Sequence, residues 1–301
     1  MAQTNTIITA RGLIKKFGAL KALDGLNLDV QKGEVHGFLG PNGSGKSTTI
    51  RILLGLLRKT GGTVSLLGQD PWQHAVELHR HLTYVPGDVS LWPGLSGGEV
   101  IDLFGSLRGG INKKLKQQLL RDFQLDPKKK CRTYSKGNRQ KVALVAALAA
   151  DAEIYILDEP TSGLDPLMES VFKSYIKDLK KSHKTILLSS HILAEVEELA
   201  DRVTIIREGQ TVESGTLSEL RHLSHNTIHV TTKKPAVGLK KMRGVHDLIL
   251  DKNTAVFDAD QDNIGAILAY LAPLGITHMT SEPPKLEDLF MRHYDKQKTD
   301  S

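Results

Sequence analysis

Gly40-Pro41-Asn42-Gly43-Ser44-Gly45-Lys46-Ser47-Thr48 satisfies the pattern G-x-x-x-x-G-K-[ST], directly after the apolar segment "EVHGFLG" and before a helical one. Residues of these types at this spacing bind phosphate. Gly43 and Gly45 let the backbone bend so that amide N–H groups converge on an anion, the Lys46 ammonium can reach β- and γ-phosphates, and the Ser47 hydroxyl can ligate Mg²⁺. Far along the chain, "IYILDEP" sets Asp158 and Glu159 at the end of an apolar strand. Carboxylates at the carboxyl edge of a parallel sheet face the crevice where ligands bind, so Asp158 is expected to hold Mg²⁺ through water and Glu159 to polarise an attacking water. A second strand, "TILLSS", delivers His191 to the same edge, where an imidazole could contact the γ-phosphate. Without their strands these would be a Gly-rich turn, two solvated acids and one of twelve histidines; strand-end placement is what gives them meaning.

The elements that must position these groups read as an α/β alternation. Residues 6 to 40 read as short strands, with Leu26, Leu28 and Val30 alternating against polar neighbours. A helix is expected from about Ser47 to Leu57, then a strand at "TVSLLG" after Gly61-Gly62. A Gly- and Lys-bearing middle region carries two helical stretches, near Glu99–Leu107 and Lys113–Gln124. A helix from Arg139, the strand "EIYIL", a helix to about Lys181 and the strand "TILLSS" follow; both strands are apolar enough to be buried on two faces. A hairpin turning at Glu208-Gly209 closes this part. Beyond Ser224 the pattern gives a strand at 227–232, a hairpin at Lys252-Asn253, a helix over Ile264–Leu271 and a Pro283-Pro284 break, a second, smaller α/β domain.

Composition fits this reading. The chain has 301 residues, 40% hydrophobic and 25% charged, which argues against disorder, and only 5% aromatic, so its interior is filled by Leu, Ile, Val and Ala. The single cysteine, Cys131, excludes an internal disulfide and fits a reducing compartment. The N-terminus lacks the features of an export signal, and the longest apolar runs are about half of what a bilayer requires. The net charge of +6 comes from Lys and Arg spread along the chain, which reads as a solvated basic surface and points to no nucleic acid.

Over residues 6 to 220 these motifs resemble the nucleotide-binding subunit of an ATP-binding-cassette (ABC) transporter. The resemblance implies a P-loop NTPase cassette, with a mixed sheet core, an antiparallel β subdomain and a helical subdomain at about 88–138, in a domain spanning 1–222. A small C-terminal α/β accessory domain would occupy 223–301. It implies ATP and Mg²⁺ as cofactors, pairing as a homodimer or with a homologous ATPase subunit, an integral membrane permease subunit as partner, and a peripheral place on the cytoplasmic face of the cell membrane. Phe17 in "KKFGAL" matches the aromatic that stacks on adenine, although a lone aromatic could equally be core. "SGLD", Ser162 to Asp165, matches the segment that crosses the dimer interface, with Asp165 in its acidic position; without the resemblance it is an ordinary turn opening a helix.

Two stretches compete for the signature of such cassettes. "LSGGE", Leu95 to Glu99, has the familiar letters, but the acidic strand lies more than fifty residues downstream. The signature helix should lead directly into that strand, and "YSKGNRQK", Tyr134 to Lys141, does so. Ser135 and Gly137 keep the hydroxyl and second glycine, while Lys136 and Asn138 depart from the pattern. "LSGGE" is therefore read as a turn and helix N-terminus. A second departure is the order Val85-Pro86-Gly87-Asp88, where cassettes usually carry a glutamine. Proline then glycine suits a type II turn, with Asp88 as the nearest polar residue to take over sensing. This variant, the extra domain and "PPKLEDLF", Pro283 to Phe290, resemble a subgroup of drug and antibiotic exporters. The implied function is an ATP-hydrolysing subunit powering export of drugs, antibiotics or lipid-like compounds. The alternatives are a soluble ABC ATPase and a nucleotide-gated clamp not coupled to transport. One phosphate loop without sustained heptads argues against the first, and Glu159 against the second.

Overall fold

The computed structural model describes residues 5–222 and 226–282. In chain order the first strands are β1 (Thr6–Phe17), β2 (Leu20–Gln31), β3 (Val35–Leu39) and β4 (Gly61–Leu66). Strands β2, β1 and β4 form a three-stranded antiparallel sheet. The strands β5 (Leu82–Val85), β6 (Ile154–Asp158), β7 (Thr185–Ser190), β8 (Arg202–Arg207) and β9 (Gln210–Thr216) join β3 in a six-stranded sheet ordered β5-β6-β7-β3-β8-β9. From β5 to β8 every neighbouring pair is parallel, so five strands end at one edge. All residues of β3, β6 and β7 are buried, as strands covered on both faces must be.

Helices α1 (Lys46–Leu53), α2 (Ala75–Leu78), α3 (Gly97–Leu107), α4 (Lys113–Asp122), α5 (Lys136–Leu148), α6 (Pro166–Lys181) and α7 (Leu193–Leu199) complete this part. Ile50 and Leu53 of α1 sit in one buried cluster with Leu26 and Val30 of the antiparallel sheet and Phe38, Ile156 and Leu187 of the central one. That cluster fuses the two sheets around α1, and each such side chain contributes about 1.5–3 kcal/mol by leaving water. α3 and α4 both pack on α5, burying Val100, Ile101, Leu119, Phe123, Val142 and Val145. This is the mostly helical middle region expected from the sequence. Helix α1 stops at Leu53, short of the expected Leu57, because Gly55 takes φ 65° and its neighbour's Leu56 N–H donates back to the Arg51 carbonyl.

Under β3 lies a buried polar chain: His36 is bonded through Nδ1 to Glu34 Oε1 and through Nε2 to Thr204 Oγ1, both at 2.9 Å, and Thr204 Oγ1 to Ser214 Oγ at 2.8 Å. These bonds tie β3 to β8 and β9 by side chains as well as by the ladder.

The chain divides into two compact units, Met1–Ser214 and Gly215–Ser301. The break falls ahead of the boundary expected after residue 222 because α8 (Leu217–His222), opened by reciprocal bonds between Thr216 and Glu219, goes with the second unit. In that unit β10 (Asn226–Thr232), β11 (Val245–Asp251), β12 (Thr254–Ala259) and β13 (Ile276–Glu282) form an antiparallel sheet ordered β11-β12-β10-β13. Its core joins Ile228, Val230 and Phe257 to Ile267 and Leu271 of α9 (Ile264–Leu271). "PPKLEDLF" lies outside the described residues. Phe257 is 1% exposed, so Phe257→Ala is expected to cost about 3–5 kcal/mol, read as faster native-state amide exchange in β10 and β12.

Candidate active site at the carboxyl edge

The loop after β3 is the phosphate motif. Gly45 caps α1 with φ 110°, a conformation that an L side chain rarely adopts, and an added Cβ would lie 2.6 Å from Leu23 Cδ2. No side chain caps this helix and its first turn holds no acid, so the N-terminal amides and the positive end of the helix dipole are left open for an anion. Ser44 Oγ is buried without a hydrogen-bond partner, while Ser47 is exposed. Lys46 is 5% exposed; its ammonium donates to the Gly40 carbonyl at 2.6 Å and the Pro41 carbonyl at 3.2 Å. Burial pushes its pKa down, opposed by the carboxylates of Glu159 and Asp158.

Asp158 ends β6 buried, and its Oδ1 accepts from Ser189 Oγ at 2.8 Å. Glu159 follows at φ 48°, left-handed for a non-glycine residue, held there by its own N–H donating to the Ser189 carbonyl and by Ser162 N–H donating to its carbonyl. Such backbone costs about 1–3 kcal/mol and accumulates at functional sites. It presents the carboxylate where Oε1 is 3.2 Å from His191 Nδ1 and 3.9 Å from Lys46 Nζ. The structure thus brings Lys46, Glu159 and His191 together.

The remaining candidates fall into two groups. Phe17 is 48% exposed, with Lys15 Nζ 4.8 Å from its ring centre, so it is not a core residue. Ser135 caps α5, accepting from Asn138 N–H at 3.3 Å, and Asp165 caps α6, accepting from Met168 N–H at 3.0 Å. The start of α5 rests on the segment after the acids: Lys136 Nζ donates to Ser162 Oγ at 2.9 Å, and a Cβ on Gly137 would collide with the Gly163 carbonyl. Gln140, 1% exposed, donates to the Pro160 carbonyl at 2.9 Å. Sequence reading missed Gln140, Ser189 and Ser190; the signal was present in the two serines, polar positions closing an otherwise apolar strand.

"LSGGE" is what local rules make of it. Ser96 caps α3, accepting from Glu99 N–H at 3.2 Å while Ser96 N–H donates to the Glu99 carboxylate at 2.6 Å. Those hydrogen bonds and Lys130 hold the Glu99 carboxyl at a pKa of about 2. Pro86-Gly87 does not form the expected type II turn, since Gly87 lacks the positive φ which that turn demands at its third residue. The loop instead packs on the acids: a Cβ on Gly87 would lie 3.3 Å from the Asp158 carbonyl oxygen and 3.7 Å from Glu159 Cβ. Asp88 beside it is exposed.

A P-loop on a parallel sheet, with an acidic strand end, a histidine and a helical segment leading into the acids, defines a nucleotide-binding cassette. Residues 23–162 match the family described as "ABC transporter", and residues 215–294 that described as "ATP-binding protein DrrA1-3-like, C-terminal domain". The chain is similar to the bacitracin transport ATP-binding protein BcrA of Bacillus licheniformis, 31% identical over 306 residues, covering 96% of this chain and 97% of that protein. It is 36% identical over 222 residues to the daunorubicin resistance ATP-binding protein DrrA3 of Streptomyces coeruleorubidus, covering 72% of this chain and 70% of that one. A solved structure of an ATP-binding subunit of an ABC transporter superposes with a TM-score of 0.67 at 30% identity, covering 72% of this chain and 92% of that one. The chain belongs to the ATP-binding proteins of ABC transporters, and it is an ATPase.

Ser96→Ala is expected to cost about 1 kcal/mol in urea unfolding without altering ATP turnover. Gly137→Ala, driven into the Gly163 carbonyl, should lower turnover instead; the reverse pattern would hand the signature role to "LSGGE".

Proposed function

We propose that this chain is the ATP-hydrolysing subunit of an exporter of drugs, antibiotics or lipid-like compounds. The observation that carries the catalytic part is the meeting of Lys46, Glu159 and His191 at one sheet edge. Export is supported by similarity over nearly the whole chain to a bacitracin transport protein, and by the match of the second unit to a DrrA-like domain.

The residues fit MgATP. Ser44 Oγ, buried and unbonded, is a donor waiting for an acceptor, and the open end of α1 adds amides. On binding, Lys46 exchanges loop carbonyls for phosphate oxygens, a better partner for a buried cation. Ser47 and Asp158 would hold Mg²⁺. Among the described residues no group of three or more His, Cys, Asp and Glu could hold a metal, so nucleotide oxygens and water would have to complete its shell. When bound, Mg²⁺ neutralises charge on the phosphates. Glu159 accepts the proton of the attacking water and His191 donates toward the γ-phosphate, while Phe17 stacks on adenine. A second copy, or a homologous subunit, closes the site with Ser135, Gly137 and the loop ending at Asp165. Catalysis is chiefly positioning and electrostatics.

Among the described residues no helix is long and apolar enough to cross a membrane, and we assign that task to an integral permease subunit, with this chain peripheral on the cytoplasmic face. An apolar cleft of about 260 Å³ lined by Leu54, Tyr84, Pro86, Leu91, Phe104 and Ala147 opens beside the Gly87 loop. A permease segment seated there presses on the loop that packs against Asp158 and Glu159.

Purified protein is expected to hydrolyse ATP only with Mg²⁺ present. Lys46→Ala should weaken ATP binding; Glu159→Gln should bind ATP but lose about 10²–10⁴-fold in turnover. Wild-type turnover in Glu159→Gln would refute the general base. Asp88→Asn, assayed with and without the membrane partner, should lose activity only in the assembled transporter.

A further inference from the structure

Glu195 is a carboxylic acid 4% exposed on α7, outside every motif used above. Its Oε2 accepts two hydroxyl hydrogen bonds, from Ser190 Oγ at 3.0 Å and from Thr161 Oγ1 at 3.3 Å. Its Oε1 is buried without a partner. A buried carboxyl group that leaves one oxygen bare is costly, and a structural core would do better with an apolar residue.

The two donors stand at particular places in the chain. Ser190 immediately precedes His191, and its Oγ also accepts from Ile192 N–H at 3.0 Å, bridging over the histidine and fixing the turn that presents it. Thr161 lies two residues after Glu159 and immediately precedes Ser162, whose hydroxyl receives Lys136. One carboxylate oxygen therefore joins the mount of His191 to the root of the loop that runs from Ser162 to Asp165. Glu169 and Lys173 of α6 are the charged groups acting on it, and Lys173 is itself paired with Glu198 at 2.7 Å. Burial raises the Glu195 pKa, and the two hydroxyls oppose that shift.

We propose that Glu195 is a positioning residue for ATP hydrolysis: through Ser190 and Thr161 it holds His191 and the interface loop in one fixed relation, so that the γ-phosphate contact and the surface offered to a second subunit are set together. The proposal rests on the site assigned above. It predicts an effect on turnover and little on nucleotide affinity, because Glu195 touches neither the phosphate loop nor Lys46.

The experiment is steady-state MgATP hydrolysis by the full chain, with ATP affinity from a fluorescent analogue and melting temperature measured in parallel. Glu195→Ala is expected to lower kcat by about ten- to a hundredfold through misplacement of His191, with Kd for ATP changed by no more than about twofold. Glu195→Gln, whose amide oxygen can still accept both hydroxyls, should restore most of kcat, whereas Glu195→Met, which fills similar space but offers the hydroxyls no acceptor, should not, a difference that a merely packing role would not produce. Should Glu195→Ala fail to fold, the pair Ser190→Ala with Thr161→Val carries the same test. In the Glu195→Gln background that pair should cost as much kcat as in the wild type. Unchanged kcat in Glu195→Ala, or in the serine–threonine pair, overturns the inference alone provided Glu159→Gln has lost turnover. Full turnover in Glu159→Gln overturns the proposed site and this inference with it.

Discussion

Everything at the site depends on β3 running parallel to both β7 and β8. Because β5, β6, β7 and β3 all point the same way, the Gly87 loop, the two acids, His191 and the phosphate loop leave the sheet at one edge. Turning one five-residue strand end for end would move its loop by about 17 Å, at about 3.3 Å per residue. No side-chain adjustment could recover a displacement of that size. Parallel strands need crossover connections, and the helices that provide them cover both faces, which accounts for the unbroken burial of β3, β6 and β7.

Within that frame, polar groups are arranged in pairs that cross between neighbouring strands. Asp158 is held by Ser189 on β7, and Glu159 keeps its left-handed backbone by bonding to the Ser189 carbonyl and receiving Ser162 N–H. Two hydrogen bonds at about 0.5–1.5 kcal/mol each are of the same size as the strain they hold. The carboxylate is thus fixed off the strand axis and toward Lys46 and His191. The start of α5 is tied to the same segment by Gln140 and Lys136. The helix that carries Ser135 is therefore hydrogen-bonded to the segment that directly follows the acids.

What could be seen in the sequence was what local chemistry decides. The phosphate motif is contiguous, and its Lys46 bonds to the nearby Gly40 and Pro41 carbonyls, so nine letters showed where such a loop would lie. The acids and His191 were legible because apolar strands point to them. Gln140 bonds to Pro160, Ser189 to Asp158 and Thr161 to Glu195, partners far away in the chain that no short window shows; Ser190 and Glu195 are close in sequence, but what they join is not. The two serine stretches show the difference well: Ser96 and Ser135 both cap helices by the same local rule, and only distance along the chain to the acidic strand separates them. At Pro86-Gly87 the dipeptide's turn preference gave way to packing against Asp158 and Glu159. The break between the units escaped because α8 follows β9 without a linker of distinctive composition.

The buried chain from Glu34 through His36 and Thr204 to Ser214 sets where this molecule can yield. Both ring nitrogens of His36 are bonded, and the residue is wholly buried; sliding β3 against β8 would leave a polar atom bare inside the protein, at about 1–3 kcal/mol for each. The strand that bears the phosphate loop is consequently stiff, and the antiparallel sheet fused to it through the core is stiff with it. Compliance has to reside elsewhere, and the loop at 86–92 is the nearest segment without such ties to a neighbouring strand. That segment borders the cleft lined by Phe104 of α3 and Ala147 of α5, so any displacement at the sheet edge would be taken up on the helical side and not in the strands behind it.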